Sequence, residues 1–216
     1  LPARREDGAA TRRTTSLVPL SRRQRAVARD GRGVDDVSYL VGAAGAGGYQ
    51  DIIAPPSTRS LANGDILMLD TGCVWDGYFC DFDRNYAIGT PSAAAQQAHH
   101  RLYDATDAAL EMLRPGVTPQ DLFVTMDRIL RPQGAAQGGG DDVGRYGHGL
   151  GIQLTEPPSH TDWDETDIVA GMVLTIEPSL VYDDDRLMVA EENALVTPDG
   201  ATLLTRRAPR DLPVIG

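Results

Sequence analysis

The 216-residue chain is 41% apolar and 24% charged with a formal net charge of −11, a globular composition that excludes a disordered protein. No apolar run approaches the roughly 20 residues of a membrane-crossing helix, and Leu17 to Leu20 is too short for a signal-peptide core, so no membrane partner is expected. Charge is unevenly spread: all 20 basic residues are Arg, nine of them against three acids in residues 1–33, leaving 11 Arg against 28 acids in residues 34–216. So acidic a body repels phosphate backbones, and nucleic acid is not an expected partner.

Residues 1–33 carry paired arginines (Arg4-Arg5, Arg12-Arg13, Arg22-Arg23), few bulky apolar side chains and no aromatic ring. Such a segment buries too little surface to offset its ordering entropy and reads as a poorly ordered arm. A start at Leu1 suggests a fragment or an unusual beginning. Gly42, Gly45, Gly47 and Gly48 superficially resemble a phosphate loop, but no helical period follows and no Lys is available, so a structural loop is expected. Asp65 to Gly89 reads as two strands. Ser92 caps a helix from Ala93 to Leu113, which Pro115-Gly116 ends; Thr118, Pro119 and Asp121 open a second helix to about Leu130. Gln133 to Asp142 is a glycine-rich loop, and Met172 to Thr205 is again strand and hairpin. Residues 34–216 are read as one α+β domain.

Asp76-Gly77 between β-rich runs is the strongest short hairpin signal. A two-residue turn there sets Trp75 opposite Tyr78, Gly72 opposite Asp81 and Asp70 opposite Asp83, with all three acids on one face. Carboxylates so gathered need either hydration or a cation between them. Cys73 falls opposite Cys80 on the reverse face, where two buried thiols are a better reading than a disulfide, since nothing else marks an oxidising compartment; a cytoplasmic location is expected. In a second hairpin, folding about Asp184 sets Glu177, at the end of Met172-Val173-Leu174-Thr175-Ile176, across from Glu191, at the end of Leu187-Met188-Val189-Ala190. Between the hairpins, His148 stands among Gly144, Gly147, Gly149 and Gly151. Asp, Asp, His, Glu and Glu form an oxygen-rich set with one nitrogen, suited to a pair of Mn²⁺, Co²⁺, Fe²⁺ or Zn²⁺ ions.

These segments together resemble the pita-bread metallopeptidase family of methionine aminopeptidases, Xaa-Pro aminopeptidases, prolidases and creatinase. The match covers Leu69-Asp70-Thr71-Gly72, Asp81, Gly147-His148-Gly149-Leu150-Gly151, Met172 to Pro178 and Ala190-Glu191-Glu192-Asn193. The resemblance implies a curved, mainly antiparallel sheet with helices on its outer face. It also implies two divalent ions, Mn²⁺ foremost, held by Asp70, Asp81, His148, Glu177 and Glu191. Glu177 and His148 would be the catalytic groups, a metal-bridging hydroxide would attack an amide carbonyl, and Glu177 would carry the proton to the leaving nitrogen.

Three positions depart from the family pattern: Ile53 and Thr155 stand where family peptidases carry His, and Val189 where an Arg is common. An aminopeptidase or Xaa-Pro peptidase acting on a short peptide is the leading expectation. The alternatives are a hydrolase of a small non-peptide amide or cyclic amidine, similar to ectoine hydrolase, and an inactive truncated binding module. A homodimer is compatible with the resemblance.

Overall fold

The structure, a computed structural model, describes residues 35–52, 58–132, 144–183 and 185–216. The Arg-rich arm, Ile53, the 133–142 loop and Asp184 lie outside the described residues. In chain order the elements are β1 (Asp35–Ala46), β2 (Asp65–Trp75), β3 (Tyr78–Ile88), α1 (Ala93–Met112), α2 (Pro119–Leu130), β4 (His148–Gly149), β5 (Glu156–Ser159), β6 (Val173–Ile176), β7 (Ser179–Tyr182), β8 (Arg186–Val189), β9 (Glu192–Thr197), β10 (Gly200–Leu203) and β11 (Val214–Ile215). They form a β1-β2-β3-β11 sheet, a β10-β9-β6-β4-β5 sheet and a β7-β8 pair. Every pairing is antiparallel except that of β11 with β3.

Asp76 and Gly77 both have positive φ, 52° and 85°, as a two-residue hairpin turn demands. The expected register follows: Trp75 pairs with Tyr78, Gly72 with Asp81 and Asp70 with Asp83. Cys73 lies opposite Cys80 with the sulfurs 3.4 Å apart, both free thiols. They are half-buried rather than buried, and Cys80 lines a cavity of about 790 Å³ together with Phe82, Arg84 and Tyr86 of the same face. The glycine-rich stretch is not a loop throughout. Gly42 and Gly45 lie within β1, whose ladder with β2 runs to Ala46 opposite Asp65, and only Gly47 and Gly48 turn. Pairing with a neighbouring strand overrides the weak strand preference of glycine.

The second hairpin keeps one register through two ladders. β6 pairs with β9 from Val173–Leu195 to Ile176–Glu192, and β7 with β8 from Ser179–Val189 to Tyr182–Arg186. Met172 to Ile176 therefore faces β9, as folding about Asp184 requires. Pro178 leaves the alignment unshifted, since the Ala190 amide donates to the Pro178 carbonyl at 3.1 Å. Having no N–H, Pro178 nevertheless interrupts the ladder. Glu177 and Glu191 stand level with each other at that break.

Both helices begin where the caps predict. The Ser92 hydroxyl accepts the Ala95 amide at 3.1 Å, and Thr118 with Asp121 forms a complete capping box behind Pro119. α1 buries Ala95, Ala98, Leu102, Ala105 and Ala109, a face of mostly small residues that lets the helix lie close against β6, β7, β8 and β10. α2 adds Leu122, Phe123, Met126 and Leu130 to the same core, where Leu174, Ile176 and Met188 meet the helices. Among the described residues, no helix is long and apolar enough to cross a membrane.

Candidate metal centre

The segment carrying His148 is held by α2 from behind. Phe123 stacks on Tyr146 with ring centroids 4.7 Å apart, and the Tyr146 hydroxyl donates to Asp127 at 3.0 Å. The Tyr146 amide donates to His160 O at 2.8 Å, and its carbonyl accepts the Glu177 amide at 2.9 Å. One residue thus sets the positions of both the His148 strand and Glu177. Gly147, at φ 134°, passes so close to β6 that a Cβ there would meet the Thr175 carbonyl at 2.3 Å and the His160 ring at 2.5 Å. Only glycine allows that approach.

His148 is 3% exposed, and its amide donates to the Thr175 hydroxyl at 3.0 Å. Its Nδ1 lies 2.9 Å from the Gly149 carbonyl, which can only accept, so Nδ1 carries the proton and Nε2 offers a lone pair. Nε2 points at two carboxylates, Asp81 Oδ2 and Glu177 Oε2, each 3.8 Å away. That is too long for a hydrogen bond but within the roughly 4.4 Å that can separate two atoms ligating one ion. Donor atoms of Asp81, His148 and Glu191 all lie within 4.8 Å of one another. Burial holds the His148 imidazole below its ordinary pKa, keeping it in the neutral form that binds metals.

The carboxyls are pushed the other way. Burial, then the charges of Asp81 and Glu177, raise Asp70 to about 8. Burial and Asp81 raise Glu177 to about 7, and burial with Glu177 and Asp81 holds Glu191 well above the usual carboxylate range. Asp70 Oδ1, Asp83 Oδ1 and Glu191 Oε1 are buried with no hydrogen-bond partner. Buried carboxylate oxygens facing one another without donors are costly, and a cation among them removes that cost. The five residues singled out from sequence thus converge, and their donor set fits divalent ions of the Mn²⁺ to Zn²⁺ series.

Three further residues build the site. Asn193 of β9 accepts the Asp81 amide at 3.2 Å and donates to the Asp81 carbonyl. Arg84 donates to the backbone carbonyls of Asp83 and Glu191 and pairs with the buried Glu192 carboxylate at 3.0 Å. Asp83 sits beside the five rather than in solvent, 3% exposed. Alternation along β3 placed Asp83 on the right face, but no local signal marks Arg84 or Asn193, whose partners in β9 and β3 lie more than a hundred residues away. Of the three departures, Thr155 is exposed ahead of β5, and Val189 is buried in β8 with its amide bonded to the Tyr49 hydroxyl at 2.8 Å.

A model of the metallopeptidase family M24 matches residues 19–198. The chain belongs to this family. Its α+β architecture is the family's pita-bread fold. The M24 chain is 30% identical over 150 residues to the Xaa-Pro dipeptidase of Pyrococcus furiosus, covering 69% of this chain and 42% of that protein. The structure of dipeptidase PepE from Mycobacterium ulcerans matches at 34% identity and TM-score 0.66, over 73% of this chain and 42% of that one. Prolidase from Thermococcus sibiricus matches at 28% identity and TM-score 0.74, over 85% and 49%. The chain therefore spans about half the length of these relatives or less.

Proposed function

We propose that this M24 chain is the catalytic part of a dinuclear metal-dependent peptidase that cleaves short peptides at their amino terminus, Xaa-Pro dipeptides among them. The observation that carries the reading is the convergence of Asp81, His148 and Glu191 donor atoms within 4.8 Å, on a chain whose relatives are named dipeptidase and prolidase.

Asp70, Asp81, His148, Glu177 and Glu191 hold two divalent ions, Mn²⁺ in the first instance. When bound, the ions supply Lewis acidity, which makes water acidic enough to yield a nucleophile at neutral pH and polarises the scissile carbonyl. The residues do the rest. Asp81 presents its carboxylate from β3 and Glu191 from the break between β8 and β9, so their spacing is set by the fold rather than by side-chain flexibility. His148, with Nδ1–H committed to Gly149, keeps Nε2 free of a proton. Glu177, partly buried beside His148, takes the proton released by the attacking water and delivers it to the leaving amine nitrogen.

Incubation of the purified chain with Mn²⁺ and a panel of dipeptides, Xaa-Pro included, tests the reading. Release of free amino acids that stops on chelation is expected. No metal-dependent turnover of any peptide, or turnover confined to acylated and cyclic small amides, would overturn it.

A further inference from the structure

β3 is paired along one edge with β2. Its other edge pairs with β11 only at Ala87 and Ile88, and from Asp81 to Asn85 it meets β8 and β9 through side chains. Asp81 is bonded to Asn193, and the Asn85 side chain to the Val189 carbonyl. Those two contacts share a single antiparallel register, and the position midway between them sets Asp83 level with Glu191. Arg84 seals that point, one guanidinium nitrogen donating to the carbonyls of both Asp83 and Glu191. Along the other edge Asp83 is the ladder partner of Asp70. Asp83 therefore stands between Asp70 and Glu191. Among the described residues, the buried carboxylate oxygens without hydrogen-bond partners belong to these same three residues: Asp70 Oδ1, Asp83 Oδ1 and Glu191 Oε1. Asp83 is 3% exposed, and the acids pressing on it electrostatically are Asp70, Glu177 and Asp81.

We propose that Asp83 is a sixth ligand of the metal centre, adding its carboxylate to the ion held by Asp70 and Glu191 and biasing that position toward a hard cation such as Mn²⁺. This rests on the metal-centre reading above and extends it. With Asp81, the position would gather four carboxylates and no nitrogen, a donor set that suits Mn²⁺ better than Zn²⁺. A buried acid with a merely structural role would instead have a donor or acceptor within the protein for each oxygen.

The test is calorimetric titration of the full chain, freed of metal, with Mn²⁺ and separately with Zn²⁺, for the wild type, Asp83→Asn and Asp81→Asn. Asp83→Asn is expected to weaken Mn²⁺ binding at least tenfold and Zn²⁺ binding less. It is also expected to raise the melting temperature of the metal-free chain, because it removes a repelling buried acid. Unchanged Mn²⁺ affinity in Asp83→Asn, with a clear loss in Asp81→Asn, would overturn this inference and leave the metal centre intact. A lower metal-free melting temperature with unchanged Mn²⁺ affinity would do the same and assign Asp83 a structural role. No binding by the wild type would instead overturn the metal-centre reading itself. Should Asp83→Asn not fold, Asp83→Thr is read by the same criteria.

Discussion

The side chain of Asn193 hydrogen-bonds both backbone polar groups of Asp81, accepting its amide at 3.2 Å and donating to its carbonyl. This joins β3 of one sheet to β9 of another at a residue proposed to hold the ions. Asn193→Ala removes both of these buried bonds to the Asp81 backbone, a loss of about 1–3 kcal/mol for each one not replaced by water. Urea denaturation is expected to show a lower midpoint, and Mn²⁺ titration a weaker affinity, because Asp81 loses its fixed position. Wild-type values for both would show that the sheets are held together elsewhere.

Asp81→Asn keeps the shape of the side chain and removes its charge. The wild type is expected to retain up to two Mn²⁺ per chain after dialysis, and the variant one or none, with peptide turnover reduced at least a hundredfold. Elemental analysis of both proteins beside a dipeptide assay checks this. Equal metal content would remove Asp81 from the ligand set.

Acidity acts on the metal-free chain in a defined direction. Asp70 at about 8 and Glu177 at about 7 are both raised above their ordinary values. Folding therefore favours their protonated forms. Their contribution to stability is full below about pH 4 and is lost as pH rises through 7 to 8. His160, lowered to about 4 by burial, works oppositely: it contributes above its ordinary value and loses that contribution as pH falls toward 4. Between pH 6.5 and 8 His160 stays neutral, so the carboxyls govern. Thermal melts in chelator are expected to show a lower melting temperature at pH 8 than at pH 6.5, with a smaller difference in Asp70→Asn. Mn²⁺ should raise the melting temperature more at pH 8, since ligands must shed their protons to bind. A metal-free chain that is more stable at pH 8 would contradict this electrostatic account.

The seat of His148 depends on the missing side chain of Gly147. Gly147→Ala would drive a methyl group into the Thr175 carbonyl, which the β6 ladder fixes, and into the buried His160 ring. A loss of about 1–3 kcal/mol is expected from overpacking, with more from the strained backbone. Chemical denaturation measures that loss. A parallel Mn²⁺ titration should weaken as Nε2 moves away from Asp81 and Glu177. Unchanged stability would mean that this approach is looser than the structure has it.

The sequence by itself determined the two hairpin registers, both helix starts and the five converging residues. Those features are local: Asp76-Gly77 selects its turn, alternation assigns each side chain a face, and Ser92 and Thr118 satisfy amides three residues away. β1 was not legible because glycine carries little strand preference of its own and became a strand only through its ladder with β2. Tertiary structure alone decided the seam between β3 and β8–β9, where Arg84, Asn85 and Asn193 reach partners 104 to 112 positions distant in sequence. It also decided which nitrogen of His148 is free and that Asp83 is buried between Asp70 and Glu191. Short-range patterns fix what a strand presents to its hairpin partner, whereas contacts across a seam exist only once the sheets have packed.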